Sequence, residues 1–120
     1  MAIGELYDLV IDCPDPRELA GFYRQVVGGE IVDADAEWAT LVISDGRRVS
    51  FQRVEGYAPP RWPGQEHPQQ MHLDVIVTDL DESEPLVLAL GATLLEGSSK
   101  SIGFRIYADP AGHPFCLVTN

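Results

Sequence analysis

The eleven residues Gln70-Met71-His72-Leu73-Asp74-Val75-Ile76-Val77-Thr78-Asp79-Leu80 decide how this chain is read. Met71, Leu73, Val75 and Val77 alternate with His72, Asp74 and Ile76, the period-2 signature of a half-buried strand. Near the N-terminus Tyr7, Leu9 and Ile11 alternate in the same way with Asp8, Val10 and Asp12. Each stretch runs through an aspartate, Asp15 or Asp79, into a segment of helical period. Those two aspartates are 64 positions apart, and so are Asp8 and His72. The spacing describes one unit used twice.

Working outward, residues 4–13 form the first predicted strand. Asp15 can cap a helix with Pro16 at its first position. Leu19, Ala20, Phe22, Tyr23, Val26 and Val27 then make a stripe that faces a core, and Gly28-Gly29 stops it. Short strands follow near 30–33, 38–44 and 47–55, the last two joined through Asp45-Gly46, a hairpin signal. The segment 56–68 holds four prolines and two glycines, which forbid regular structure and mark a linker. Tyr57 and Trp62 within it are costly to leave in water, so they pack on the domain, line a site or meet another subunit. A second helix is predicted over about 81–90, with Leu86, Val87 and Leu90 on its apolar face and Pro85 near its start. Strands near 92–96, 104–108 and 114–119 complete the second unit. Asp109-Pro110-Ala111-Gly112 stands where Asp45-Gly46 stood. The order is βαβββ twice, an α+β chain with module 1 over about 4–55 and module 2 over about 70–119.

The composition sets limits. At 120 residues the chain has the size of one domain. Its 45% hydrophobic and 22% charged residues are those of an ordinary globular protein, and no apolar run is long enough to span a bilayer. The first residues lack the basic and apolar regions of a signal peptide, so a cytoplasmic protein is expected. A net charge of −11, from 19 acidic against 8 basic residues, argues against nucleic acid as partner. Cys13 and Cys116 are far apart in sequence and are read as free thiols.

Taken together, Asp12-Cys13-Pro14-Asp15-Pro16, Leu19-Ala20-Gly21-Phe22-Tyr23, Pro68-Gln69-Gln70-Met71-His72-Leu73-Asp74 and the closing Asp109-Pro110-Ala111-Gly112-His113-Pro114-Phe115-Cys116-Leu117-Val118 resemble the vicinal oxygen chelate superfamily. Within it the chain is similar to the small glyoxalase-like domain proteins of bacteria. The resemblance implies a mixed β-sheet curled into a cup with the helices outside, and in the enzymes a divalent metal inside the cup. It also implies ligands from the first and last strands of each module. Here those positions carry Asp8 and His72 on the first strands, and Cys116 with its counterpart Ser50, or Gln52 two residues on, on the last. Asp8 and His72 are the expected metal ligands of an incomplete set, and the superfamily hosts lyases, isomerases, dioxygenases and drug-binding resistance proteins alike. A fold does not name a function.

Besides a partner-binding module whose cup is vestigial, two function classes stand side by side. One is a small-molecule binder without a complete metal site. The other is a divalent-metal-dependent lyase, isomerase or dioxygenase using His72 and Asp8, with His72 as its candidate catalytic group. For ligand binding the candidates are Trp38, Gln52, Trp62, Asp74, Arg105 and Cys116. His72 has a plainer reading as an imidazole hydrogen-bonded to Asp8 or Asp74. Arg105 suits an anionic ligand if it faces the cup, and an acidic neighbour if it faces outward. Cys116 reads as a buried small hydrophobe unless a cation lowers its pKa. The resemblance further implies a homodimer.

Overall fold

A computed structural model describes residues 2–96 and 103–120. The element order is β1 (Leu9–Cys13), α1 (Pro16–Val27), β2 (Glu30–Ala34), β3 (Trp38–Val42), β4 (Arg48–Arg53), β5 (Leu73–Ile76), α2 (Leu80–Ala89), β6 (Thr93–Glu96), β7 (Phe104–Ala108) and β8 (Pro114–Val118). This is βαβββ twice, as the sequence spacing requires. The chain divides into two compact units, Met1–Tyr57 and Ala58–Asn120. Each holds one four-stranded mixed sheet, ordered β1-β4-β3-β2 in the first and β5-β8-β7-β6 in the second.

In the first unit β1 runs parallel to β4, from Leu9 opposite Val49 to Cys13 opposite Arg53. A parallel pair needs a long crossover, which α1 and the β2–β3 hairpin supply. Asp15 accepts the Glu18 N–H at 3.2 Å and so caps α1, with Pro16 directly behind it. Leu19, Ala20, Phe22 and Tyr23 are buried as the helical stripe predicts. Tyr23 stacks on Phe51 of β4 at 5.8 Å between ring centroids. Phe51 thus marks the helix-covered face. By strand alternation Arg48, Ser50 and Gln52 of β4 lie on the opposite face, with Trp38 and Thr40 beside them on β3.

The second unit repeats the plan. β5 runs parallel to β8, with Leu73 opposite Phe115 and Asp74 opposite Cys116. Asp79 caps α2 by accepting the Glu82 N–H at 3.0 Å. Tyr107 stacks on Phe115 at 5.6 Å and donates its hydroxyl to Glu84 of α2 at 2.9 Å. Phe115 and Tyr107 therefore mark the helix-covered face here, and Asp74, Ile106 and Cys116 share the other one.

Three sequence expectations shift. The strands expected over 4–13 and 70–77 are only Leu9–Cys13 and Leu73–Ile76, and Met71 ahead of the second is exposed. On α2 only Val87 is buried, whereas Leu86 and Leu90, expected in the core, are exposed. The helix is tied down by polar contacts instead: Arg105 reaches Asp81 at 2.6 Å and the Leu80 carbonyl at 3.4 Å, and Tyr107 reaches Glu84. The turn correspondence also moves by two residues. Ile43 N–H bonds the Arg47 carbonyl and Gly46 N–H the Ile43 carbonyl, and the same pair of bonds joins Asp109 to His113 and Gly112 to Asp109. Asp109 thus matches Ile43, not Asp45. The offset is 64 on the first strands and 66 in the hairpins, which confirms Ser50 as the counterpart of Cys116.

Gly29 illustrates how tightly the first unit closes. Its φ is +94°, and an added Cβ would meet the Val42 carbonyl oxygen, a backbone atom, at 2.3 Å. Gly28, at φ +80°, has open space where a Cβ would point. Gly29→Ala should therefore cost about 3 kcal/mol and Gly28→Ala about 1 kcal/mol in urea unfolding. Equal losses in the two variants would show that β3 does not approach Gly29 this closely.

Candidate functional site

The helix-free face of each sheet gathers a polar group, and each group contains the residue that starts its module. In the second unit His72 lies one residue before β5, and its Nε2 sits 3.2 Å from Asp74 Oδ1. Asp74 and Cys116 are register partners on adjacent parallel strands. One nitrogen, one oxygen and one sulfur from these three residues lie within 4.8 Å of one another. Among the described residues this is the one group of three or more such ligands. His72 and Asp74 are open to solvent on one side, with side chains 39% and 57% exposed, while Cys116 is buried.

Burial sets the chemistry of the thiol. Desolvation first, then the Asp74 charge and its hydrogen bond, push Cys116 up to about 11. At pH 7 only about one molecule in ten thousand would carry the thiolate, so Cys116 alone is not a ready nucleophile. The Asp74 carboxylate that bears on the thiol also faces His72.

In the first unit Asp8 lies one residue before β1. Its Oδ2 accepts the Ser50 hydroxyl at 2.6 Å. Ser50 Oγ is 2.8 Å from Thr40 Oγ1, which accepts the Trp38 indole N–H at 2.9 Å. Ser50 spends its single proton on Asp8, so Thr40 must donate to Ser50. Trp38, Thr40, Ser50 and Asp8 therefore form one chain with every donor pointing toward the carboxylate. Its other oxygen, Asp8 Oδ1, is buried and has no hydrogen-bond partner among the described residues.

The other expected site residues fall as follows. Gln52 is exposed on the same face as Ser50, in register with Trp38. Trp62 is half-buried in the segment before β5, where Arg61 N–H bonds the His67 carbonyl at 2.7 Å. Arg105 lies on the helix-covered face with its guanidinium on Asp81 and Glu84, at 2.6 and 3.5 Å. The sheet separates it from Asp74 and Cys116. Of the two orientations open in the sequence, it takes the one that packs α2.

Sequence reasoning passed over Thr40 and Arg48. Thr40 is visible only once β3 pairs with β4. Arg48 shares the parity of Ser50 and Gln52, and that signal was available in the sequence.

A family profile described as "Glyoxalase-like domain" matches residues 8–118, nearly the whole chain. The chain belongs to the glyoxalase-like domain family. Among solved structures it is similar to a glyoxalase/bleomycin resistance protein/dioxygenase family enzyme from Burkholderia phytofirmans, at TM-score 0.74 and 19% identity, over 97% of this chain and 98% of that one. A glyoxalase-related enzyme from Fulvimarina pelagi is similar at TM-score 0.68 and 22% identity, over 98% and 89%. The fosfomycin resistance protein FosX of Listeria monocytogenes is similar at TM-score 0.73 and 14% identity, over 99% and 95%. At these identities the likeness is one of fold. No curated protein matches the chain. No helix among the described residues is long and apolar enough to cross a membrane.

The thiol reading is checked by alkylation. In chelator-treated protein carrying Cys13→Ala, the iodoacetamide rate at Cys116 should rise with a midpoint near pH 11. A midpoint at the ordinary thiol value of about 8.5 would mean that Asp74 and burial do not act on it.

Proposed function

We propose that this domain binds a small molecule at a divalent cation of the zinc class held by His72, Asp74 and Cys116. The observation that carries the reading is the meeting of an imidazole nitrogen, a carboxylate oxygen and a thiol sulfur within 4.8 Å on one sheet face. Tetrahedral zinc with bonds of about 2.0–2.3 Å spaces its ligand atoms roughly 3.3–3.8 Å apart, so a group within 4.8 Å would have to close by up to about 1 Å around the ion. The donor chemistry fits a borderline ion, and it does not fit magnesium or calcium, which want several oxygens.

Three protein ligands leave a fourth position open, the pattern of catalytic rather than structural sites. A cation there would act as a Lewis acid on a ligand oxygen, as in lyase and isomerase chemistry. Asp74 ties the three groups together: its carboxylate helps raise the Cys116 thiol, and a 3.2 Å contact joins it to His72 Nε2. Loading the ion would displace the thiol proton, so binding should release it and weaken as pH falls. Exposure of His72 and Asp74 leaves the open side accessible to a ligand.

The second reading, a metal-free binding domain, is favoured by the same contacts, because Asp74 satisfies both neighbours without any ion. Zinc titration by calorimetry in two buffers of different ionisation enthalpy separates the readings. One ion per chain with release of about one proton, lost in His72→Ala and Cys116→Ala, supports the metal site. Absence of stoichiometric zinc uptake by the folded wild type leaves the metal-free binder.

A further inference from the structure

The helix-free face of the second sheet carries more than the donor residues. Asp74 of β5, Cys116 of β8 and Ile106 of β7 are register partners and form one row across it. Two residues along the strands lies a second row, with Ile76 opposite Val118 and Val118 opposite Phe104. Two residues of strand span about 6.6 Å. This second row is wholly apolar, and it is open: Ile76 is 60% and Phe104 37% exposed, with Val118 half-buried between them. Side chains of this kind gain by being covered, and these three stand next to the donor row.

Fixed charge on this face has one sign. Asp74 stands at one end of the donor row, and Glu96 of β6 is in register with Ile106 at the other. Among the described residues of this sheet the only basic side chain is Arg105, which lies on the helix-covered face against Asp81 and Glu84. We infer that the ligand of this site is a molecule with one cation-binding head group and an uncharged, apolar body. The head sits on the ion held by His72, Asp74 and Cys116, and the body lies along Ile76, Val118 and Phe104. An anionic body would meet two carboxylates and no lysine or arginine on this face. A second copy of the chain as occupant would bring a further charge of −11 to a face that is already acidic. The inference rests on the zinc reading for the head group and goes beyond it in naming the class of ligand.

The test uses three hydroxamic acids with the same head group on the zinc-loaded full chain. Acetohydroxamic acid has no body, 3-phenylpropanehydroxamic acid an apolar one, and succinic monohydroxamic acid an anionic one. By calorimetry the phenyl compound should bind roughly tenfold more tightly than acetohydroxamic acid, the gain expected from covering part of one ring. The anionic compound should bind no more tightly than acetohydroxamic acid. Ile76→Ser and Phe104→Ala change exposed side chains outside the donor set. Zinc uptake should therefore stay at the wild-type level in both, while the phenyl preference falls about threefold in each. Absence of zinc uptake by the wild type would overturn the metal reading and the inference with it. With zinc uptake intact, equal binding of the three compounds, tightest binding of the anionic one, or an unchanged phenyl preference in both variants would overturn the inference alone. So would a zinc-loaded dimer that Ile76→Ser turns into a monomer, because the apolar row would then belong to a second copy.

Discussion

The parallel pairing of the first and last strands within each module is the constraint on which the structure depends. Two parallel neighbours cannot be joined by a tight turn. The chain must leave β1 or β5, cross over through a helix, and return through a hairpin before it can pair. That requirement accounts for the βαβββ order and for the helix on one face only. It also brings residues 64 to 66 positions apart in repeat terms into matching places, Asp8 with His72 and Ser50 with Cys116.

The two modules spend this geometry differently. Beside the first strand of unit 1, the last strand offers Arg48 and Ser50, and the carboxylate is tied into a chain of hydroxyls. Unit 2 offers Pro114 and Cys116 instead, and a soft sulfur meets an imidazole and a carboxylate. Their helices differ as well. α1 is held by an apolar stripe that ends in the Tyr23–Phe51 stack. α2 is held by Val87 and by Arg105 and Tyr107 reaching Asp81 and Glu84. An element fixed mainly by directional polar contacts leaves its leucines outside, which is why Leu86 and Leu90 did not follow the helical pattern into the core.

Much of this is legible in the sequence. The capping aspartates Asp15 and Asp79 stood out because an N-cap is a local signal: a short acceptor, three residues ahead of the N–H it binds. Gly29 announced itself for a similar reason, as a helix stop. The strands were found by alternation, though their ends ran long at residues 4–8 and 70–72, since alternation continues past the last paired residue. His72 and Asp8 emerged from the repeat. Arg105 remained ambiguous between two faces, because parity assigns a residue to one of two sides and does not say which side carries the helix.

The sequence by itself determined the repeat, the α+β class, the caps and the membership of each strand face, because these depend on neighbours within a few residues or on a period. Only the tertiary structure decided which side chains meet. The seating of Cys116 opposite Asp74 and the run from Trp38 to Asp8 depend on strand register. A shift of one residue would turn every one of those side chains to the other face. Register is set by the packing of whole strands against a helix and by the hairpins between them, and no local pattern in the chain carries it.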